Sequence, residues 1–285
     1  MDPRVVELYN DYVHGSLPRR DFLGRLAALL GSVAAASALL PLLEPSHAQA
    51  QQVAGDDARI EAGYASYAGR RGEVRAYVAR PRVKGARPGV LVIHENRGLN
   101  AHIEDVARRV AVAGYLAVAP DGLSVAGGAP ADQEKARDLF AATDAATIAA
   151  DVMAGLPYLA ARPDCTGRIG TVGFCYGGGL SLRCAAERPE VAAAVCFYGS
   201  ALDEAALARV RAPLLLHYAG NDARINAGID AFRAALDARG IAYSLNMYPG
   251  TQHGFHNDAS AARYDAAAAT LAWERTLAFF ARTLA

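Results

Sequence analysis

The chain has 285 residues, 53% of them hydrophobic and 20% charged, and its 29 lysines and arginines balance 29 aspartates and glutamates. That is the composition of an ordinary folded protein. The even charge leaves no broad positive field to hold a phosphate backbone or an anionic membrane surface, which excludes nucleic acid as an expected partner.

In chain order the first distinctive feature is Arg19-Arg20-Asp21-Phe22-Leu23, followed by an uncharged run over residues 26–43 that ends near Ala48-Gln49-Ala50. This order resembles a twin-arginine export signal with an A-x-A cleavage site. A membrane anchor is the rival reading, because about 17–25 apolar residues span a bilayer. The run is rich in Ala, Gly and Ser and contains Pro41, so it is weakly apolar for an anchor. We therefore expect residues 1–50 to be a leader cleaved after Ala50, with residues 1–17 an unusually long front portion of it. Residues 51–285 are then expected to form one periplasmic or secreted domain, a monomer without stable membrane association. No internal repeat or Ser/Pro/Gly linker divides it.

Residues 74–79, closed by Pro81, read as an antiparallel edge strand with residues 58–65 as its possible partner. From Pro88 onward, apolar runs of strand length at 89–94, 115–119, 169–174, 192–197, 213–218 and 243–247 alternate with stretches of helical period. The helices are expected at 103–113, 132–159, 177–187, 227–239 and 259–284. The second of these should be two helices, with a break near residues 143–145. Continuous apolar strands alternating with helices imply an α/β fold, a mostly parallel central sheet covered by helices on both faces. Ligands in such sheets gather at the carboxyl ends of the strands. Chemistry is therefore expected just after His94, Ala119, Phe174, Phe197, Tyr218 and Met247.

At the third of these points stands Gly173-Phe-Cys-Tyr-Gly177, a G-x-nucleophile-x-G pattern between a strand and a helix. A turn that tight makes bulky residues two places either side of the nucleophile collide with neighbouring backbone, which accounts for Gly173 and Gly177. The Cys175 thiol would project above the sheet at a helix amino end, where free N–H groups and the dipole favour a thiolate. Gly178 and Gly179 would let that helix lie close to adjacent strands. No Lys-Ser/Thr follows the glycines and G-x-G-x-x-G is absent, so phosphate and dinucleotide loops are excluded. A buried structural cysteine remains the alternative.

A thiol nucleophile needs a base, and the base an orienting acid. In this fold class the chain order is nucleophile, acid, histidine. Asp222 follows the 213–218 strand and His253 follows the 243–247 strand, both in loops and in that order. His256 and His217 are rival bases, and Asp258 and Asn221 rival partners; His217, inside a strand, reads as a satisfied core histidine. The seven histidines and four cysteines show no metal-ligand spacing, so no metal and no cofactor are expected. Cys184 lies nine residues beyond Cys175 on one helix, about 13 Å away and beyond disulfide reach. Cys165, preceding a strand, and Cys196, ending its neighbour, are expected at opposite edges of the sheet. The cysteines thus read as two or three small core residues and one thiol with another task.

At these residues the chain resembles the dienelactone hydrolase family of the α/β-hydrolase superfamily. The resemblance rests on residues 90–123, on GFCYGGG, on AGNDARI and on YPGTQHGFHND, in that order. It implies Cys175, Asp222 and His253 as catalytic residues, and Glu95, after the first parallel strand, as a carboxylate that interacts with the resting thiol and moves when substrate binds. It further implies that the backbone N–H groups of Tyr176 and Asn96 hold the oxyanion, and that arginines grip a small carboxylate-bearing lactone. Arg97 and Arg137 are the candidates for that grip. One departure stands out: Asn257 occupies the position, four after the catalytic histidine, where enzymes of the family that act on dienelactone carry arginine. The expected function is a thiol-dependent hydrolase of a small lactone or ester, acting through a cysteinyl thioester and resembling carboxymethylenebutenolidase. A broader carboxylesterase or thioesterase, and a non-hydrolytic exported binding or redox-sensing protein, are the alternatives.

Overall fold

The computed structural model describes residues 2–15, 17–43 and 51–285. The cleavage motif expected at Ala48-Gln49-Ala50 lies outside them. Three helices come first: α1 (Pro3–His14), α2 (Arg19–Leu30) and α3 (Val33–Leu43). The sheet is built from β1 (Ile60–Ala68), β2 (Glu73–Pro81), β3 (Arg87–Ile93), β4 (Leu116–Pro120), β5 (Cys165–Phe174), β6 (Val191–Phe197), β7 (Leu214–Asn221) and β8 (Tyr243–Gln252). Between and after the strands come α4 (Ala101–Val112), α5 (Gln133–Ala142), α6 (Ala145–Met153), α7 (Gly155–Ala160), α8 (Tyr176–Glu187), α9 (Glu204–Leu207), α10 (Ala223–Asn226), α11 (Ile229–Ala238) and α12 (Ala266–Thr283).

The strand order is β1-β2-β4-β3-β5-β6-β7-β8. Strand β2 pairs antiparallel with both β1 and β4, and the remaining pairs are parallel. The outermost strand is thus β1, and β2, expected at the edge, lies one place inward. Alternate residues of the strands feed two cores. Leu91, Ile93, Val118, Cys196 and Leu216 pack with α6, α7, α8 and α11 on one face. Val90, Val92, Val172, Val195 and Leu215 pack with α4 and α12 on the other. Period-two burial on both faces is why these strands read as continuous apolar runs.

Several boundaries differ from the expectation for local reasons. The 132–159 segment breaks where foreseen, because Asp144 accepts from the Thr147 amide at 2.9 Å and starts α6. It breaks again at Ala154–Gly155, since Pro157, within the first turn of α7, cannot donate the N–H that would continue α6. Helix α12 begins seven residues later than expected, where Asp265 caps the Ala268 amide at 2.9 Å. Cys165 opens β5 instead of preceding it, and Cys196 is the last residue but one of β6. These are adjacent central strands, so the two cysteines stand at opposite ends of a strand pair and not at opposite edges of the sheet. All four cysteines are free, and burial pushes the thiols of Cys184 and Cys196 up to about 12, as core side chains.

Helices α1 to α3 have a small core of their own, with Val5, Tyr9, Tyr12, Phe22, Leu26 and Leu43 buried. No single helix among the described residues is long and apolar enough to cross a membrane; α2 and the start of α3 pass that test only together, across a 113° bend. Helix α1 lies across the carboxyl ends of the central strands. Its Val13 carbonyl accepts from Asn96 Nδ2 at 3.0 Å, and Tyr12 donates to Glu134 at 2.7 Å. Arg19 pairs with Glu134, Arg137 stacks 4.1 Å from the Tyr12 ring centroid, and Arg263 lies 5.4 Å from that of Tyr9.

Candidate active site

The turn between β5 and α8 holds Cys175 at φ 54° and ψ −113°, one of two non-glycine residues with positive φ among the described residues. Such backbone is strained for an L-residue and persists only where its surroundings enforce it. They do so here: the Cys175 amide donates to the Phe197 carbonyl at 3.0 Å, and its own carbonyl accepts from Gly178 at 3.0 Å. A Cβ at Gly173 would stand 1.8 Å from the Gly177 carbonyl oxygen, and one at Gly177 would stand 2.4 Å from that of Ile93. Neither glycine can be replaced without moving backbone. A Cβ at Gly178 would likewise stand 2.6 Å from the Phe197 carbonyl oxygen, whereas one at Gly179 would meet nothing nearer than 3.4 Å, so glycine is not required there for close packing.

Asp222 follows β7 and His253 follows β8, and the sheet twist brings them together: His253 Nδ1 lies 2.6 Å from Asp222 Oδ2. The Asp222 carboxylate also accepts from the Ile225 amide at 3.3 Å, which fixes it as the cap of α10. With Nδ1 bound, His253 presents Nε2, which is buried and has no hydrogen-bond partner among the described residues. A ring nitrogen of His253, one of His14 and Cys175 Sγ all lie within 4.8 Å of one another. Burial by itself would lower the His253 pKa, but the charge of Cys175 and the bond to Asp222 outweigh it and raise the group to about 9.

The other expected residues are placed as follows. Glu95 is buried and accepts from Asn257 Nδ2 at 2.8 Å and, more loosely, from the Tyr198 hydroxyl at 3.5 Å; it makes no hydrogen bond to the thiol. Burial opposes its ionisation, yet the positive charges of Arg263, His102 and Arg97 hold its carboxyl below the usual range. Asn257, in the place of the family's arginine, thus secures Glu95 by a hydrogen bond while Arg263, six residues on, supplies the charge. Arg97 is buried with Nε directed at the Gln133 carbonyl at 3.3 Å, away from the cleft lining. Arg137 does line the cleft, paired with Asp138 at 2.8 Å and stacked on Tyr12. The amides of Asn96 and Tyr176 have no backbone carbonyl as partner among the described residues.

Of the rivals, His217 is bonded to Tyr248 at 2.9 Å and Thr276 at 3.2 Å inside the core. His256 packs on Phe174 and Trp273, and Asp258 binds His102 and Arg109, all away from the thiol.

Three residues were not anticipated. Tyr198, at φ 40°, immediately follows β6 with its ring centroid 4.9 Å from that of His253; its place at a strand's carboxyl end was a usable signal. Arg263 carried no local signal. His14 was hidden in a segment read as a leader: its Nδ1 lies 3.6 Å from Cys175 Sγ and its ring centroid 4.3 Å from that of His253. Burial, together with the positive charge of His253 and nearby arginines, keeps its pKa well below the ordinary histidine value. His14 stands between two clefts and lines both. One, of about 1040 Å³, holds Cys175, Tyr176 and Arg137; the other, of about 610 Å³, holds Asp222 and His253.

A strained cysteine elbow over a mostly parallel sheet, with aspartate and histidine joined behind it, defines an α/β hydrolase. The dienelactone hydrolase family model matches residues 74–284, and the chain belongs to that family. A second model, YqhI-like, matches residues 1–30. A Methylorubrum extorquens protein named "Putative carboxymethylenebutenolidase" is 32% identical over 281 residues, covering 93% of this chain and 95% of its own. A Salmonella typhi protein of the same name is 32% identical over 242 residues, covering 79% and 89%. The solved Klebsiella pneumoniae structure described as a "Putative Dienelactone Hydrolase" superposes with a TM-score of 0.70 at 30% identity, covering 78% of this chain and 99% of that one.

Proposed function

We propose that the chain opens a small lactone or ester through a cysteinyl thioester, with Cys175 as nucleophile, His253 as base and Asp222 as its orienting acid. The observation that carries this reading is the strained Cys175 backbone beside a histidine already bound to Asp222 at 2.6 Å. The thiolate attacks the carbonyl carbon, the developing oxyanion takes the free amides of Tyr176 and Asn96, and ring opening leaves an acyl group on sulfur. Acylation removes the sulfur's charge, which is the largest contribution holding a proton on His253. The His253 proton passes to the oxygen freed by ring opening, and burial favours the neutral imidazole that remains. His253 then becomes the base that takes a proton from water for deacylation, which releases the acid and restores the thiolate. Glu95, buried and bound by Asn257 and Tyr198, exchanges these partners as substrate enters. No cofactor takes part.

Cys175→Ala is expected to abolish turnover of lactones and p-nitrophenyl esters in a folded protein, and wild-type rates in that variant would reject the mechanism. For a carboxylate-bearing substrate the anchor falls to Arg224, which lines both clefts and makes no ion pair among the described residues. Arg97 is turned away and Arg137 is already engaged. Arg224→Ala should raise KM for a carboxylate-bearing lactone about tenfold or more while leaving KM for a neutral ester unchanged. Equal effects on both substrates would remove Arg224 from that role.

The reading includes export and a monomeric mature domain: twin arginines at the start of α2, the uncharged run over residues 26–43 and the small-residue motif at Ala48-Gln49-Ala50 support a leader over residues 1–50 and a periplasmic or secreted location.

A further inference from the structure

We propose that the uncleaved chain has a metal site for a zinc-like divalent cation, formed by His14, Cys175 and His253. It uses side chains of the catalytic centre but does not depend on the hydrolytic reading. It is also the one cluster of three such donors among the described residues.

Three observations carry it. The donors come from three separate parts of the fold, α1, the β5–α8 elbow and the loop after β8, yet their ligand atoms lie within 4.8 Å of one another. Zinc binds thiolate at about 2.3 Å and imidazole at about 2.0–2.1 Å, which places tetrahedral ligand atoms roughly 3.5 Å apart. Cys175 Sγ and His14 Nδ1, at 3.6 Å, already have that separation, so only His253 must swing inward. Second, Nε2 of His253 is buried and without a hydrogen-bond partner among the described residues. A buried imidazole nitrogen without a partner is costly, and a cation that displaces the proton from this nitrogen would satisfy it. Third, Nδ1 of His253 is held by Asp222 at 2.6 Å, the carboxylate–histidine arrangement that orients a metal-bound imidazole and raises its donor strength.

The set is Cys-His-His, three protein donors with a fourth position facing the clefts on either side of His14. Occupation would tie up the nucleophile and the base together and fasten α1 across the site. Because His14 belongs to the segment proposed as leader, the site would exist only while residues 1–50 remain attached.

The test is Co²⁺ and Zn²⁺ titration of the full chain after chelator treatment. One Co²⁺ per chain with a thiolate-to-cobalt charge-transfer band is expected, displaced by Zn²⁺. Cys175→Ser should lose the band, His14→Ala should weaken binding tenfold or more, and Cys165→Ser should change neither. Zn²⁺ should also protect Cys175 from iodoacetamide in the unaltered chain and fail to do so in His14→Ala, with circular dichroism used to verify that each variant is folded. Absence of stoichiometric binding, a band that survives Cys175→Ser, or equal binding and protection in His14→Ala would each overturn the site. None of these readouts uses turnover, so failure here leaves the hydrolase reading standing, and loss of hydrolysis in Cys175→Ala leaves this one standing.

Discussion

At the level of single residues, His253 and Gly173 show two kinds of determinism. The identity of His253 as a histidine following a strand was legible, but its protonation depends on neighbours distant in sequence. Its pKa of about 9 exceeds the ordinary value of about 6.5, so the folded state binds this proton more tightly than the unfolded chain. The stability that follows is fully present below about pH 6.5 and is lost as pH rises through about 9. In metal-free protein the His253 ring proton signal is therefore expected to titrate near 9 by NMR, and Cys175→Ala should move the midpoint down by more than a unit. A midpoint near 6.5 in the unaltered protein would show that the thiolate does not hold the proton. Glu95 illustrates the limit of local reading: its place after β3 was foreseen, whereas its partners Asn257 and Tyr198 lie more than a hundred residues away in the chain.

Among the elements, the β5–α8 turn is the most strongly specified by its own residues. A Gly-x-Cys-x-Gly pattern between an apolar strand and an apolar helix demands a sharp turn whatever surrounds it, and the contacts at Gly173 and Gly177 are backbone against backbone. Gly173→Ala should therefore cost at least about 3 kcal/mol, because no side-chain rotation relieves the clash. The corresponding fall in Tm is roughly 6–12 °C for a domain of this size. Gly179→Ala, whose methyl would meet Ser200 only at ordinary contact distance, should unfold within about 2 °C of the parent; equal shifts for the two variants would refute the steric account. The α6–α7 break and the late start of α12 were not legible, since hydrophobic periodicity continues through both. Capping by Asp265 and the missing N–H of Pro157 decide those boundaries, each a matter of one hydrogen bond.

For the whole molecule, two packed layers around one sheet bury polar groups as well as apolar ones, and His217 is the clearest instance. Burial pushes it down to about 3, and it stays neutral between Tyr248 and Thr276. Its contribution is the reverse in sign of that from His253: the folded state binds fewer protons, so stability is fully present above about pH 6.5 and falls as pH drops toward about 3. Urea unfolding between pH 7 and 4 should show this slope, reduced in His217→Gln; an unchanged slope would assign acid sensitivity to other groups. The position of α1 to α3 also belongs to this scale. Twin arginines and an apolar run raise the expectation of a leader by composition, but nothing in that pattern says where such a segment would fold. Its docking comes from aromatic and charged contacts, Tyr12 with Glu134 and Arg137 and Tyr9 with Arg263, that join residues far apart in the chain.

The sequence by itself determined the α/β layering, the glycine-flanked turn at Cys175 and the order Cys175, Asp222, His253, because periodicity, glycine sterics and chain order are local or nearly local properties. Tertiary structure alone decided which carboxylate meets which base, that Arg97 turns from the cleft while Arg224 lines it, and that His14 stands beside the thiol. Those outcomes depend on distances between side chains brought together by folding, and no spacing along the chain encodes them.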